Sequence, residues 1–316
     1  QEDNAYDLQI AVRLAPGAFA AIPIWHDFAY TEADACVQRE EPSTFLRRAI
    51  GQWGQWLAKG RFPNSIVNRH LRDAVESLLL NVKMQQNRDG GMIAGIRKYA
   101  NSYIRDSHGG MRLLNACGHV EETRKLLLNI HTRWERAGFI PNWWSMGSDT
   151  FIGASFNNDA AEITAYYIFM LRDYLQAGGD EAFAQTVLPS IRWAAEVQAE
   201  HLRTHDLLLD FNGDETEQYC VFRDGQEYGL FGNGYACDKL NFQKKAASFA
   251  STAAAVGSLE WFGHFAGEAD FVTLAERVRA KIEQVFWNAE KQRHGWIYDA
   301  NGLRDSFLTN ASLLPL

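Results

Sequence analysis

The chain has 316 residues, 47% of them hydrophobic, enough to bury a large core in one big domain or two. A net charge of −8, from 31 Lys and Arg against 39 Asp and Glu, with no basic run interleaved with aromatics, argues against a nucleic-acid partner. No apolar stretch reaches the length of a membrane span, and Gln1-Glu2-Asp3-Asn4 does not open a signal peptide, so cytoplasm and export both stay open as locations.

In chain order, residues 1–40 have a β texture. Tyr6 to Leu14 alternates roughly apolar and polar, Ala15-Pro16-Gly17 punctuates it, and Phe19 to Trp25 reads as a second strand. Forty residues do not make a stable sheet alone, so this segment is expected to be the tail of a β domain or a two-stranded extension packed on the main body. Glu40-Glu41-Pro42-Ser43 then opens a linker helix over 41–60, with acidic residues at its positive end. From residue 61 onward the pattern is helical, and the helices are of two kinds. Leu71, Ala74, Val75, Leu78, Leu79 and Val82 form an amphipathic stripe, as do Val120, Leu127, Ile130 and Trp134, then Phe183 to Ala195, then Phe271 to Val285. Between them, Gly110 to Cys117, Ile163 to Leu171 and Ala246 to Phe265 are apolar or small nearly all round and are expected to be buried on every side. Strict alternation of wet and buried helices is what a toroid of helical hairpins needs. The expected fold is therefore all-α: an (α/α)6 toroid over 61–316, preceded by a short β segment and a linker helix. With about seven helices where six hairpins need twelve, the ring is expected to lack its last hairpins, either because it is incomplete or because the sequence is a fragment.

Links from buried to wet helices are short, as at Gly118-His119 and Gly178-Gly179-Asp180. Links from wet to buried helices are long, at 85–104, 137–158 and 203–240, and would open on one end of the toroid. The first carries Arg105 and Asp106, for which a surface ion pair, helix capping and binding of sugar hydroxyls are the alternatives. The second carries Trp143-Trp144, either lid packing or a stacking platform, and Asp159, either an N-cap or a hydroxyl ligand. The third, Leu209-Asp210-Phe211-Asn212-Gly213-Asp214-Glu215-Thr216-Glu217-Gln218-Tyr219, interleaves carboxylates with aromatic rings. Taken alone it reads as a solvated acidic turn. On a ligand-binding end, repulsion among its carboxylates suits Asp214, Glu215 or Glu217 to proton donation, and glycoside hydrolysis needs such an acid with a second carboxylate across the sugar. An EF-hand reading fails because Gly213 and Glu217 fall off register, and Gly229-x-x-Gly232-x-Gly234 lacks the βαβ setting of a dinucleotide fingerprint. Cys36, Cys117, Cys220 and Cys237 form no C-x-x-C pair, and the His residues lack zinc-ligand spacing, so no metal or cofactor is expected. Ten tryptophans, including Trp287 and Trp296 outside the helical stripes, fit a sugar partner.

Tyr103-Ile104-Arg105-Asp106, Asn157-Asn158-Asp159 before Ala160-Ala161-Glu162, and an acidic loop between the fifth and sixth helices resemble the six-hairpin glycosidases. The order of motifs is most similar to the glucoamylase group, glycoside hydrolase family 15. The resemblance covers about residues 60–316, and the strands of residues 1–40 with the linker helix over 41–60 resemble the end of the β-sandwich that precedes the toroid in bacterial members. It implies an exo-acting, inverting glycoside hydrolase that favours glucosides, with Arg105 and Asp106 on the terminal sugar. Trp143 and Trp144 would wall the pocket, and Glu215 would be the acid in preference to Glu217 and Asp214. The group's Trp-Glu-Glu context is absent, and its base lies in hairpins beyond this sequence. A phosphorylase, lyase or epimerase on the same toroid, or a non-catalytic sugar-binding domain, are the alternatives.

Overall fold

A computed structural model describes residues 42–61, 68–87, 90–94, 101–141, 143–145, 152–153, 163–209, 221–223, 226–228, 247–295, 297–299 and 302–305. The expected strands of residues 1–40 lie outside the described residues. The chain divides after Ala58 into two compact units. Of the first, helix α1 (Pro42–Ala58) is described; it is amphipathic, with Phe45, Leu46 and Ile50 exposed and Trp53 and Trp56 edge to face at 6.0 Å.

The second unit is all-α. Among the described residues its helices are α2 (Arg69–Met84), α3 (Ile104–Ala116), α4 (Val120–Ala137), α5 (Ile163–Gln176), α6 (Glu181–Thr204), α7 (Phe249–Ala266) and α8 (Ala269–Phe286). Their starts and stops follow local chemistry. The Asn68 side chain caps α2 by accepting from the backbone N–H groups of His70 and Leu71, Asp180 caps α6 through Ala182 N–H, and Ser248 caps α7 through Ser251 N–H. Gly138 and Gly267 end α4 and α7 in the left-handed region, at φ 76° and 71°.

The seven helices form two layers. The inner helices pack in succession, α3 on α5 and α5 on α7, and the outer helices α4, α6 and α8 back them, with α2 against α3. This is the hairpin toroid arrangement expected from the alternating pattern. One expectation changes: α3 is not buried all round, since Asp106, Gly109, Arg112 and Ala116 are exposed. Their spacing of three and four places them along one face, so the small residues there leave an open flank where full burial was expected. On α2, likewise, only Leu79 of the apolar stripe is fully buried while Leu71 and Leu78 are exposed, because that helix packs chiefly on α3.

Buried polar groups fasten the layers. Between α4, α5 and α6, Ser190 Oγ lies 2.8 Å from both the Tyr167 hydroxyl and His131 Nδ1, and burial pushes the Tyr167 phenol well above its ordinary pKa. Between α2 and α4, the buried Glu122 carboxylate accepts from Lys83 Nζ at 2.6 Å and Lys125 Nζ at 3.0 Å. His119, at the N-cap of α4, is lowered in pKa by burial, with Glu122 opposing the shift. Cys117 is a free, buried thiol, pushed up in pKa by burial.

Candidate functional site

The inner helices α3, α5 and α7 each follow a long link, and hydrogen bonds join the first two of those links at one end of the toroid. Strand β1 (Asn101–Tyr103), from the first link, pairs antiparallel with β2 (Trp143–Ser145) of the second, and β2 pairs with β3 (Ile152–Gly153). The first link is fixed at its base by Gly90, whose φ of 92° suits glycine and whose ideal Cβ would lie 2.5 Å from backbone atoms of Lys125 and Leu126 on α4. Further on, Met92 N–H donates to Ser102 Oγ and Ala94 N–H to Asn101 O, tying the link to β1.

Period-2 alternation along this small sheet separates the two adjacent tryptophans. Ser102 and Trp144 are register partners and both are fully buried; Arg133 of α4 lies over the Trp144 ring at 5.1 Å, and the Trp144 Nε1 has no hydrogen-bond partner. On the other face, Tyr103 and Trp143 are partners, with ring centroids 6.3 Å apart and Trp143 part-exposed. Of the two rings expected to wall a pocket, Trp144 is thus core, because its position on the strand turns it inward, and Trp143 is the one open to solvent.

Helix α3 begins directly from β1. No side chain caps it, since its N-cap Tyr103 makes no capping hydrogen bond, and Ser107 Oγ instead donates back to Tyr103 O at 2.6 Å. Asp106, in the first turn, is exposed and favoured there by the helix dipole. It lines a cavity of about 300 Å³ with Gln85 from the end of α2, Met92, and Gly109, Gly110 and Leu113 of α3. Arg105 beside it is part-buried. The sheet and the helix start therefore bring Arg105, Asp106 and Trp143 to one end: a cation with several donors, an acceptor, and a flat ring.

The third link leaves α6 through Asp206 and Leu207, both in the left-handed region at φ 54° and 63°, a backbone cost of about 1–2 kcal/mol each. Lys281 of α8 reaches Asp206 at 2.7 Å. Leu209 is then fastened to the start of α7: its N–H donates to Thr252 Oγ1, and its carbonyl accepts from Ser248 N–H. A hairpin, β4 (Val221–Arg223) with β5 (Gln226–Tyr228), lies within the link, and its far end, β6 (Ala247–Ser248), pairs with β9 (Ile297–Asp299), itself paired with β10 (Gly302–Arg304). Directly after α8, β7 (Trp287–Asn288) and β8 (Arg293–His294) form a hairpin clamped by the buried Asp305 carboxylate, which accepts from Asn288 Nδ2 at 3.0 Å and pairs with Arg293 Nη2 at 2.8 Å. Asp214, Glu215, Glu217 and Asp159 lie outside the described residues, as do Cys220 and Cys237.

One polar cluster was not anticipated from sequence. His108 of α3 donates through Nε2 to Asp173 Oδ2 of α5 at 3.1 Å, while Arg172 holds Asp173 Oδ1 at 2.7 and 2.9 Å. Burial alone would raise the Asp173 carboxyl, but the hydrogen bonds and charges of His108 and Arg172 outweigh it and hold the group below its ordinary pKa. The signal was Arg172-Asp173 inside an otherwise apolar helix, since a charge pair there must find partners. Among the described residues no three His, Cys, Asp or Glu side chains gather into a metal-binding group, and no described helix is long and apolar enough to cross a membrane.

A family model described as amylo-alpha-1,6-glucosidase matches residues 75–315. No curated protein sequence matches. Among solved structures, the family GH78 rhamnosidase of Bacillus sp. GL1 superposes with a TM-score of 0.53 at 17% identity, over 78% of this chain and 24% of that one. An uncharacterised conserved protein of Thermus thermophilus follows at 0.49 and 11% identity, over 76% and 71% of the two chains. A metal-independent alpha-mannosidase of Streptococcus pneumoniae, solved with alpha-1,6-mannobiose, is at 0.40 and 8%, over 78% and 65%. The likeness to the rhamnosidase is one of fold, and this chain spans about a quarter of that protein's length.

Proposed function

This chain belongs to the amylo-alpha-1,6-glucosidase family, and from that premise we propose that it is a glycoside hydrolase that removes terminal, α-1,6-linked glucose from oligosaccharides. The observation that carries the reading is the sheet joining the first two long links, with Tyr103 and Trp143 as register partners directly before Arg105 and Asp106. A pyranose offers a ring of hydroxyls and an apolar face. Asp106 accepts from hydroxyls, Arg105 donates to them, and the open face of Trp143 covers the apolar side. The cavity beside Asp106 is of the size of a single sugar ring, which favours an exo mode of action.

In this reading the acid comes from the third link. Its base is tied to the inner helix α7 through Leu209, which supports assigning the acid to this link. Glu215, in preference to Glu217 and Asp214, protonates the departing glycosidic oxygen. Asp159 supplies a further acceptor for hydroxyls. The likeness of Tyr103-Ile104-Arg105-Asp106 to the glucoamylase group supports inversion, in which acid and base stand about 6.5–9.5 Å apart with a water between. The division of the chain belongs to the same proposal: a β segment over 1–40, a linker helix over 41–60 and the toroid over 61–316.

The test is proton NMR of the protein with a panel of glucosides. Release of β-glucose from α-1,6-linked substrates is expected, with weaker action on other linkages. Turnover that requires phosphate, an unsaturated product, or no turnover on any glucoside overturns the reading.

A further inference from the structure

At the opposite end of the inner helices, where the short links run, lies a second cavity of about 550 Å³. Its walls are Arg112 and Asn115 from the last turns of α3, Arg172, Asp173 and Gln176 from the last turns of α5, and Arg61, which is brought in by a backbone hydrogen bond from its N–H to Cys117 O. The single carboxylate among these, Asp173, is already occupied: His108 and Arg172 hold its two oxygens, and Arg112 Nε is a further 3.8 Å away. Arg112 itself is 69% exposed. Asn115 accepts from Thr123 through Oδ1 and leaves its buried Nδ2 with no partner.

The simplest purpose of such arginines is to neutralise helix C-termini, and the two helix ends here carry about half a negative charge each. Three guanidinium groups against one carboxylate and those two ends still leave about one positive charge. That excess sits in a cavity whose side chains are rich in donors. Guanidinium groups match the planar and tetrahedral oxyanions of carboxylate and phosphate with paired hydrogen bonds. We infer that this cavity is a binding site for a phosphoryl group, carried either by free inorganic phosphate or by a phosphorylated sugar. It lies at the end away from the long links and does not rest on the hydrolase reading.

The test is thermal unfolding and calorimetric titration of the full chain with inorganic phosphate, with a hexose phosphate, and with the unphosphorylated hexose, at matched ionic strength. Millimolar phosphate or hexose phosphate is expected to raise Tm by about 2–4 °C, and the unphosphorylated sugar is not. Binding of phosphate alone assigns the site to the free ion; hexose phosphate at least tenfold tighter assigns it to the sugar phosphate. Arg112→Gln combined with Arg61→Gln, both at exposed positions, is expected to abolish the shift while leaving Tm without ligand within about 1–2 °C. No shift with either phosphate, or an equal shift in the double variant, overturns the inference.

Discussion

Replacing each of the adjacent tryptophans separately tests whether β2 sorts them into core and site. Trp144 has 0% exposure and lies under Arg133. Truncation of a core Trp to Ala costs about 3–5 kcal/mol. Loss of the Arg133 contact adds about 0.5–1 kcal/mol, while removal of an indole N–H that has no partner returns about 1 kcal/mol. Trp144→Ala is therefore expected to lose about 3–5 kcal/mol, seen as a fall in Tm of roughly 10 °C for a unit of this size. Trp143→Ala removes a part-exposed ring whose partner is Tyr103 at 6.3 Å, so its stability should fall by only about 1 kcal/mol. If Trp143 covers the sugar, its loss should raise KM for an α-1,6-glucoside about tenfold with little change in Tm. Thermal circular dichroism and initial rates on the same preparations read both quantities. The reverse pattern, with Trp143→Ala unfolding early and Trp144→Ala stable but weak in binding, would refute the assignment of faces.

Three further outcomes follow from the same geometry. Gly90→Ala combines left-handed strain of about 1–2 kcal/mol with a clash against the α4 backbone, and chemical denaturation should show a loss of at least about 2 kcal/mol; an unchanged midpoint would contradict it. Glu122→Ala leaves Lys83 part-buried without its closest partner and should cost about 3 kcal/mol, whereas Lys83→Met with Glu122→Leu should recover most of it. Because the Asp173 carboxyl is depressed in the fold, its stabilisation is complete above the unfolded value of about 3.9 and fades as pH falls through the folded value. Asp173→Asn should then be less stable than the parent at pH 7 by about 1–3 kcal/mol, with the gap closing below about pH 4; a gap independent of pH would show that the ion pair is not its cause.

Helix positions were legible because the buried helices are so strongly apolar. Ile163 to Leu171 and Ala246 to Phe265 carry too little polar surface to face water, and α5 and, from Phe249, α7 stand there, each between two outer helices. The first link was expected to end at residue 104, with Arg105 and Asp106 entering the helix, and α3 begins there, although its first turn, Ile104-Arg105-Asp106-Ser107, has no capping side chain. The pairing of β1 with β2 had no local signal, since three-residue strands are too short to show alternation and their register is set by the helices that carry them. That pairing is what separates Trp143 from Trp144. The His108 to Asp173 contact spans two helices 65 residues apart and follows from which inner helices are neighbours, a fact of packing that no single stretch of sequence encodes.

Hydrolysis by a loop carboxylic acid is tested by the turnover of Glu215→Gln on an α-1,6-linked glucoside, followed by NMR beside Glu217→Gln and Asp214→Asn. Glu215→Gln is expected to keep its Tm and its affinity for the sugar while kcat falls by about 10²–10⁴, with the two neighbours losing far less. Full turnover by Glu215→Gln would contradict it.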